Sequence, residues 1–101
     1  MRIALDACYK KDPNVVSREL AGERILVPIT KQTADVAAIY VLNEAGARIW
    51  DLIDGQRSLS DIGGLLLQEY DVQQETVEAD LVELVGELEE LGMLKAAEHA
   101  V

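Results

Sequence analysis

The stretch Ala37–Ile53, AAIYVLNEAGARIWDLI, constrains the fold more than any other. Its first part, Ala37–Leu42, is strand-like, and no charge lies between Asp35 and Glu44. At Asn43 the pattern changes to a helical period carrying Ile49, Trp50 and Ile53. Asparagine is a good N-cap, because its side chain accepts a hydrogen bond from an orphaned backbone N–H. Natural sheets protect their edges with Lys, Pro or bulges, since a bare edge recruits another strand. As an edge, Ala37–Leu42 is suited to accepting a peptide, and nothing near it is suited to chemistry.

The remaining elements follow on either side. Asn14–Leu20, the turn signal Ala21-Gly22-Glu23, and Arg24–Ile29 read as a hairpin. Ile25, Val27 and Ile29 share one face of its second strand, and Leu26 lies on the other. Pro28 lacks a donor, so it requires a strand end, an edge or a bulge. The polar loop Lys31–Asp35 leads to the third strand. The first helix runs to Gly55, expected at C′. Ser58 and Asp61 have capping-box spacing ahead of a second helix with the stripe Leu59, Ile62, Leu65, Leu66 and Tyr70. Gly63 and Gly64 fall inside it, at a cost of roughly 1 kcal/mol each relative to Ala unless packing compensates. A third helix, Gln74–Leu91, carries Val77, Leu81, Leu84, Val85, Leu88 and Leu91, and Gly92 ends it. Residues 1–13 are a tail or an extra strand, residues 14–95 are the domain, and residues 96–101 read as a frayed tail. The fold class is α+β: a small winged-helix-like domain in which a three-stranded antiparallel sheet precedes three helices, β-β-β-α-α-α.

With 101 residues there is room for one core. One Trp, three Tyr and no Phe make that core aliphatic. Residues 1–57 hold eight basic and eight acidic side chains, whereas residues 58–101 hold eleven acids and only Lys95, so the net charge of −10 arises in the second half. Such a surface repels phosphate backbones and anionic lipid and suits a basic partner. Cys8 is alone, so no intrachain disulfide forms, and His99 is alone. No spacing supports a zinc site, no base is placed to activate a nucleophile, and no phosphate loop is present. The expectation is no catalysis, no metal and no cofactor. With neither a signal peptide nor a membrane-length apolar run, the expected location is the cytoplasm.

Several segments together resemble a known family. They are Leu42-Asn43-Glu44-Ala45-Gly46, Ile49-Trp50, Asp54-Gly55, Ser58-Leu59-Ser60-Asp61-Ile62 and Tyr70-Asp71-Val72. Asp80-Leu81, Leu84-Val85, Leu88 and Gly92 complete the set. In this order they resemble the PqqD-like family, named for coenzyme PQQ synthesis protein D, over about Asn14–Lys95. The resemblance implies a peptide chaperone, or RiPP recognition element. Such a protein binds the leader of a ribosomally made precursor peptide and presents it to a modifying enzyme, often a radical SAM protein. The leader adds as an antiparallel strand beside the third strand, in a groove walled by the third helix. Here that implies Ala37, Ala38, Ile39, Tyr40, Val41 and Leu42. The chain has Ile29-Thr30-Lys31-Gln32 where PQQ-pathway members carry a Tyr-Pro-Glu-Gly-like stretch, so the resemblance carries the peptide-binding class rather than that pathway.

A helical-wheel count selects the helix flank. With the stripe centred on Leu81, Leu84 and Leu88, Val85, Glu78, Val82 and Glu89 lie to one side, and Asp80 and Glu87 to the other. Val82 and Val85 are apolar but off-centre, so Glu78, Val82, Val85 and Glu89 are the expected wall, and a leader with basic residues the expected ligand. Two other functions fit the outline. A winged-helix DNA-binding regulator needs Lys or Arg on its helices, and residues 58–94 contain neither. A small homodimerisation module could use the same bare edge. Both monomer and homodimer fit the sequence.

Overall fold

The computed structural model describes residues 5–29 and 39–97. The order is β1 (Tyr9–Lys11), β2 (Val15–Leu20), β3 (Glu23–Pro28), β4 (Tyr40–Leu42), α1 (Glu44–Leu52), α2 (Leu59–Glu69), α3 (Gln74–Glu90) and β5 (Leu94–Ala96). The expected three-stranded sheet is β2-β3-β4, all antiparallel, and the three helices follow it. Two short strands bracket this plan. β1 pairs antiparallel with β5, Tyr9 opposite Ala96, in a separate ribbon. Ala96 is therefore in a strand rather than at the start of a tail. Ala37, Ala38, the loop at 31–35 and His99 lie outside the described residues.

Turn chemistry sets the hairpin. Ala21 and Gly22 connect β2 to β3 with φ of 51° and 83°, the left-handed pair that matches strand twist. Pro28 closes β3 opposite Val15, where its missing donor breaks no further ladder. Register fixes the faces. Leu26, Tyr40 and Leu42 point to the helices, and Leu26 and Leu42 are buried. Ile25 and Val27 point the other way, so the more aliphatic face of β3 is the outer one.

Asn43 caps α1, its Oδ1 accepting from the Gly46 N–H at 2.7 Å. The helix ends at Leu52, before Gly55. Gly55 instead turns the chain with φ of 83°, and its N–H donates to the Tyr9 carbonyl at 2.9 Å. At the start of α2, Ser58 and Asp61 exchange reciprocal bonds of 3.0 and 3.1 Å. Gln73 gives α3 no side-chain cap. At its other end Gly92 adopts φ of 76°, and the Gly92 and Met93 N–H groups donate back to Glu89 and Leu88 in a Schellman motif.

The core is aliphatic around Trp50, with Leu26, Ile53, Leu59, Ile62, Leu81 and Leu88 fully enclosed. Each such side chain contributes about 1.5–3 kcal/mol of burial. α2 reaches α3 closely at Gly63, where an added Cβ would lie 3.2 Å from Leu81 Cδ1. β1 covers the core from the side: Cys8 and Tyr9 are buried, and Lys11 Nζ sits 5.3 Å from the centre of the Trp50 ring. Burial there lowers the Lys11 pKa.

Candidate functional site

β4 hydrogen-bonds to β3 along one side only, so its other edge is open among the described residues. Beside it lies a cleft of about 180 Å³. The floor and near wall are Tyr40, Val41 and Leu42 of β4 with Ala45, Gly46 and Ile49 of α1. The far wall is Asp80, Glu83, Leu84 and Glu87 of α3. The direct passage from β4 through the Asn43 cap into α1 sets this shape. Gly46 belongs to it, since a Cβ there would meet Asn43 Oδ1 at 3.1 Å and Leu42 Cδ2 at 3.3 Å.

Tyr40 shares the core-facing side of β4 with Leu42, and its hydroxyl donates to Glu87 Oε1 at 2.6 Å. That bond ties the strand to α3. Burial, and then the Glu87 carboxylate, push the Tyr40 phenol up to about 12. Asp80 and Glu83 are exposed, and no basic side chain lines the cleft. A smaller, mostly apolar hollow of about 90 Å³ opens next to it among Leu66, Tyr70, Val72 and Val77, and shares Ala45, Ile49 and Asp80 with it. Two bidentate ion pairs hold the frame. Arg24 binds Asp51 at 2.7 and 3.2 Å and ties β3 to α1. Arg48 binds Glu69 at 2.8 and 2.7 Å and ties α1 to α2. The Arg48 guanidinium holds the Glu69 carboxyl below the usual range.

The cleft has the groups to bind an extended, partly apolar, basic chain: backbone donors and acceptors on one wall, carboxylates and Leu84 on the other. Among the described residues no group of His, Cys, Asp and Glu could hold a metal ion. The Cys8 thiol is buried against the Gln56 carbonyl, 3.4 Å away and remote from the cleft lining.

Of the expected strand residues, Tyr40, Val41 and Leu42 line the cleft, and Ile39 precedes them with 59 % of its surface exposed. None of the four expected helix residues does. Val85 is fully buried in the core and Val82 is on open surface. Glu78 borders a hollow between α2 and α3 with Ser60, Gly63 and Gly64. Glu89 is near Tyr9, whose pKa it raises together with burial. The buried stripe is centred on Val77, Leu81, Val85 and Leu88, which leaves Leu84 as the apolar residue at its border. Leu91, read as part of the stripe, is 47 % exposed. A helical wheel shows two flanks and does not say which one β4 follows. Here α2 and β1 take the Glu78 and Glu89 flank, and β4 takes the Asp80–Glu87 flank. The signal that could have found it is Leu84 among three carboxylates.

No curated protein matches the chain. A solved structure described as "TbiB1 in Complex with the TbiA(beta) Leader Peptide" is similar to it, with 28% identity and a TM-score of 0.69 over 91% of this chain and 99% of that one. No helix among the described residues is long and apolar enough to cross a membrane. The family model described as Coenzyme PQQ synthesis protein D (PqqD) matches residues 23–94, from β3 through the first residue of β5, and so takes in every element that builds the cleft; the chain belongs to the PqqD family.

Proposed function

We propose that this protein is a non-catalytic adaptor that binds the leader of a ribosomally made precursor peptide and presents it to a modifying enzyme in the cytoplasm. The observation that carries the reading is the open edge of β4 beside the α3 wall, in a chain similar to a protein solved with a leader peptide. The leader pairs with the β4 edge, which supplies sequence-independent affinity. Its side chains meet Leu84 and the carboxylates Asp80, Glu83 and Glu87, which favours alternating apolar and basic residues. The enzyme it serves is a radical SAM protein or another peptide-modifying enzyme, and the adaptor itself carries no cofactor.

Calorimetric titration with a synthetic leader from a precursor gene adjacent to this one tests the reading at two salt concentrations. Asp80→Lys with Glu83→Lys is expected to weaken binding several-fold and to reduce its salt dependence, since exposed charge pairs are worth about 0–1 kcal/mol each. Leu84→Asp is expected to cost more, by placing a charge against an apolar side chain. Glu78→Lys with Glu89→Lys, on the other flank, is expected to change little. Equal losses from both flanks, or none from the Asp80 side, would remove the leader from this cleft.

A further inference from the structure

The outer face of the sheet is a second surface, which meets the cleft only at Val41. Register puts Val16, Arg18 and Leu20 of β2 on this face with Val27, Ile25 and Glu23 of β3, and Val41 joins them from β4. α1 packs against the opposite side of β3 and β4, through Leu26 and Leu42. Leu20 and Val41 are accordingly 58 and 53 % exposed, and Val16, Ile25 and Val27 between them are half-buried. A contiguous aliphatic face of this kind marks an interaction surface. Two charges stand on it, Arg18 and Glu23, both exposed, and neither is in an ion pair among the described residues.

We propose that this face joins two copies of the chain, β2 of one lying over β3 of the other about a two-fold axis along the strands. Charge selects a second copy. The whole net charge of −10 belongs to residues 58–101, so copies meeting through their helices would repel, whereas residues 1–57 are balanced. The face is also self-complementary. With β2 over β3, register sets Arg18 of each copy over Ile25 of the other, two residues along that strand from its Glu23 and within reach of the long arginine side chain, and symmetry makes the contact twice. With β3 over β3, the two Glu23 carboxylates would oppose each other instead. Val16 and Val27 are register partners, so the favoured overlap also stacks each on the other's copy. β4 falls outside the overlap, and its edge stays open for a leader in both copies. This contact differs from pairing through the β4 edge, which would block the cleft. Two six-residue strands offer a face about 20 Å long and about 10 Å wide, smaller than the about 800 Å² per partner of a standard interface. The dimer is therefore reversible and concentration-dependent.

Sedimentation equilibrium of the full chain, from about 10 µM to about 1 mM, reads the association directly. The mass should rise from 11.1 kDa toward twice that value. Arg18→Glu alone and Glu23→Arg alone should each weaken association about tenfold or more, by setting like charges together. The double exchange should restore it, and a repulsive single variant that merely unfolded could not be rescued in this way. Val27→Glu should abolish the dimer and Val41→Glu should leave it unchanged, with circular dichroism confirming both folds. A constant 11.1 kDa over the whole range would overturn the proposal. So would single charge variants without effect, loss through Val41→Glu rather than Val27→Glu, or association seen only after a modifying enzyme is added, which would give the face to that enzyme.

Discussion

Tyr40 concentrates in one side chain what holds the cleft together. It rises from the core-facing side of β4, packs against the core, and ends in a 2.6 Å bond to Glu87. A hydroxyl bond to a partly solvated carboxylate is worth about 1 kcal/mol. Its dependence on pH has a definite sign. The phenol titrates at about 12 in the folded chain and near 10.0 when unfolded. The folded state thus keeps its proton longer, and the stabilisation is complete below pH 10 and is lost as pH rises toward 12. Tyr40→Phe should cost about 1 kcal/mol at pH 8 and progressively less above pH 10. Urea denaturation of both proteins across that range measures the difference, and a constant gap would show that folding does not raise the phenol at all.

Among the elements, α2 presents the clearest contrast, because its two adjacent glycines have different reasons to be there. Gly64 is exposed, with nothing within 4 Å of the position a Cβ would take, whereas Gly63 faces Leu81 at 3.2 Å. Gly64→Ala should therefore stabilise the protein by about 0.5–1 kcal/mol, the ordinary helix preference. Gly63→Ala should gain less or lose stability, as Leu81 must shift. Thermal unfolding of the two variants decides the matter, and equal gains would show that α3 yields freely. Local chemistry of this kind was legible beforehand. Asn43, the Ser58–Asp61 box, Gly92 and the Ala21-Gly22 turn each act through neighbours a few residues away, and their positions are written in the chain. What depended on distant packing was not. α1 ends at Leu52 rather than beside Gly55, where Ile53 turns extended and the chain runs on until the Gly55 N–H meets the distant Tyr9 carbonyl. Whether Val82 or Leu84 faces β4 depends on where α2 and β1 settle around α3, and no periodicity encodes that. The pairing of β1 with β5 joins distant segments, so residues 1–13 read equally as a tail or an extra strand and residue 96 as the start of a tail, neither naming its partner.

On the scale of the whole molecule that last pairing has a kinetic consequence. Tyr9 and Ala96 are neighbours across a ribbon of three residue pairs, so its formation closes nearly the entire chain into one loop. Closing so long a loop carries an entropic cost, offset only once Cys8, Tyr9 and Leu94 find the rest of the core already in place. The ribbon is thus a clasp, expected to close last in folding and to open first in the native state. Its opening has a natural reporter. Cys8 stands just before β1, only 4 % exposed, with its carbonyl accepting from the Ala97 N–H at 2.8 Å. An aromatic disulfide reagent should modify this thiol through brief excursions that release β1 and β5 while the three-stranded sheet and α2 stay folded. The rate should then rise with urea much less steeply than global unfolding does, since less surface is exposed. A slope equal to the global one would mean instead that the clasp and the core open together.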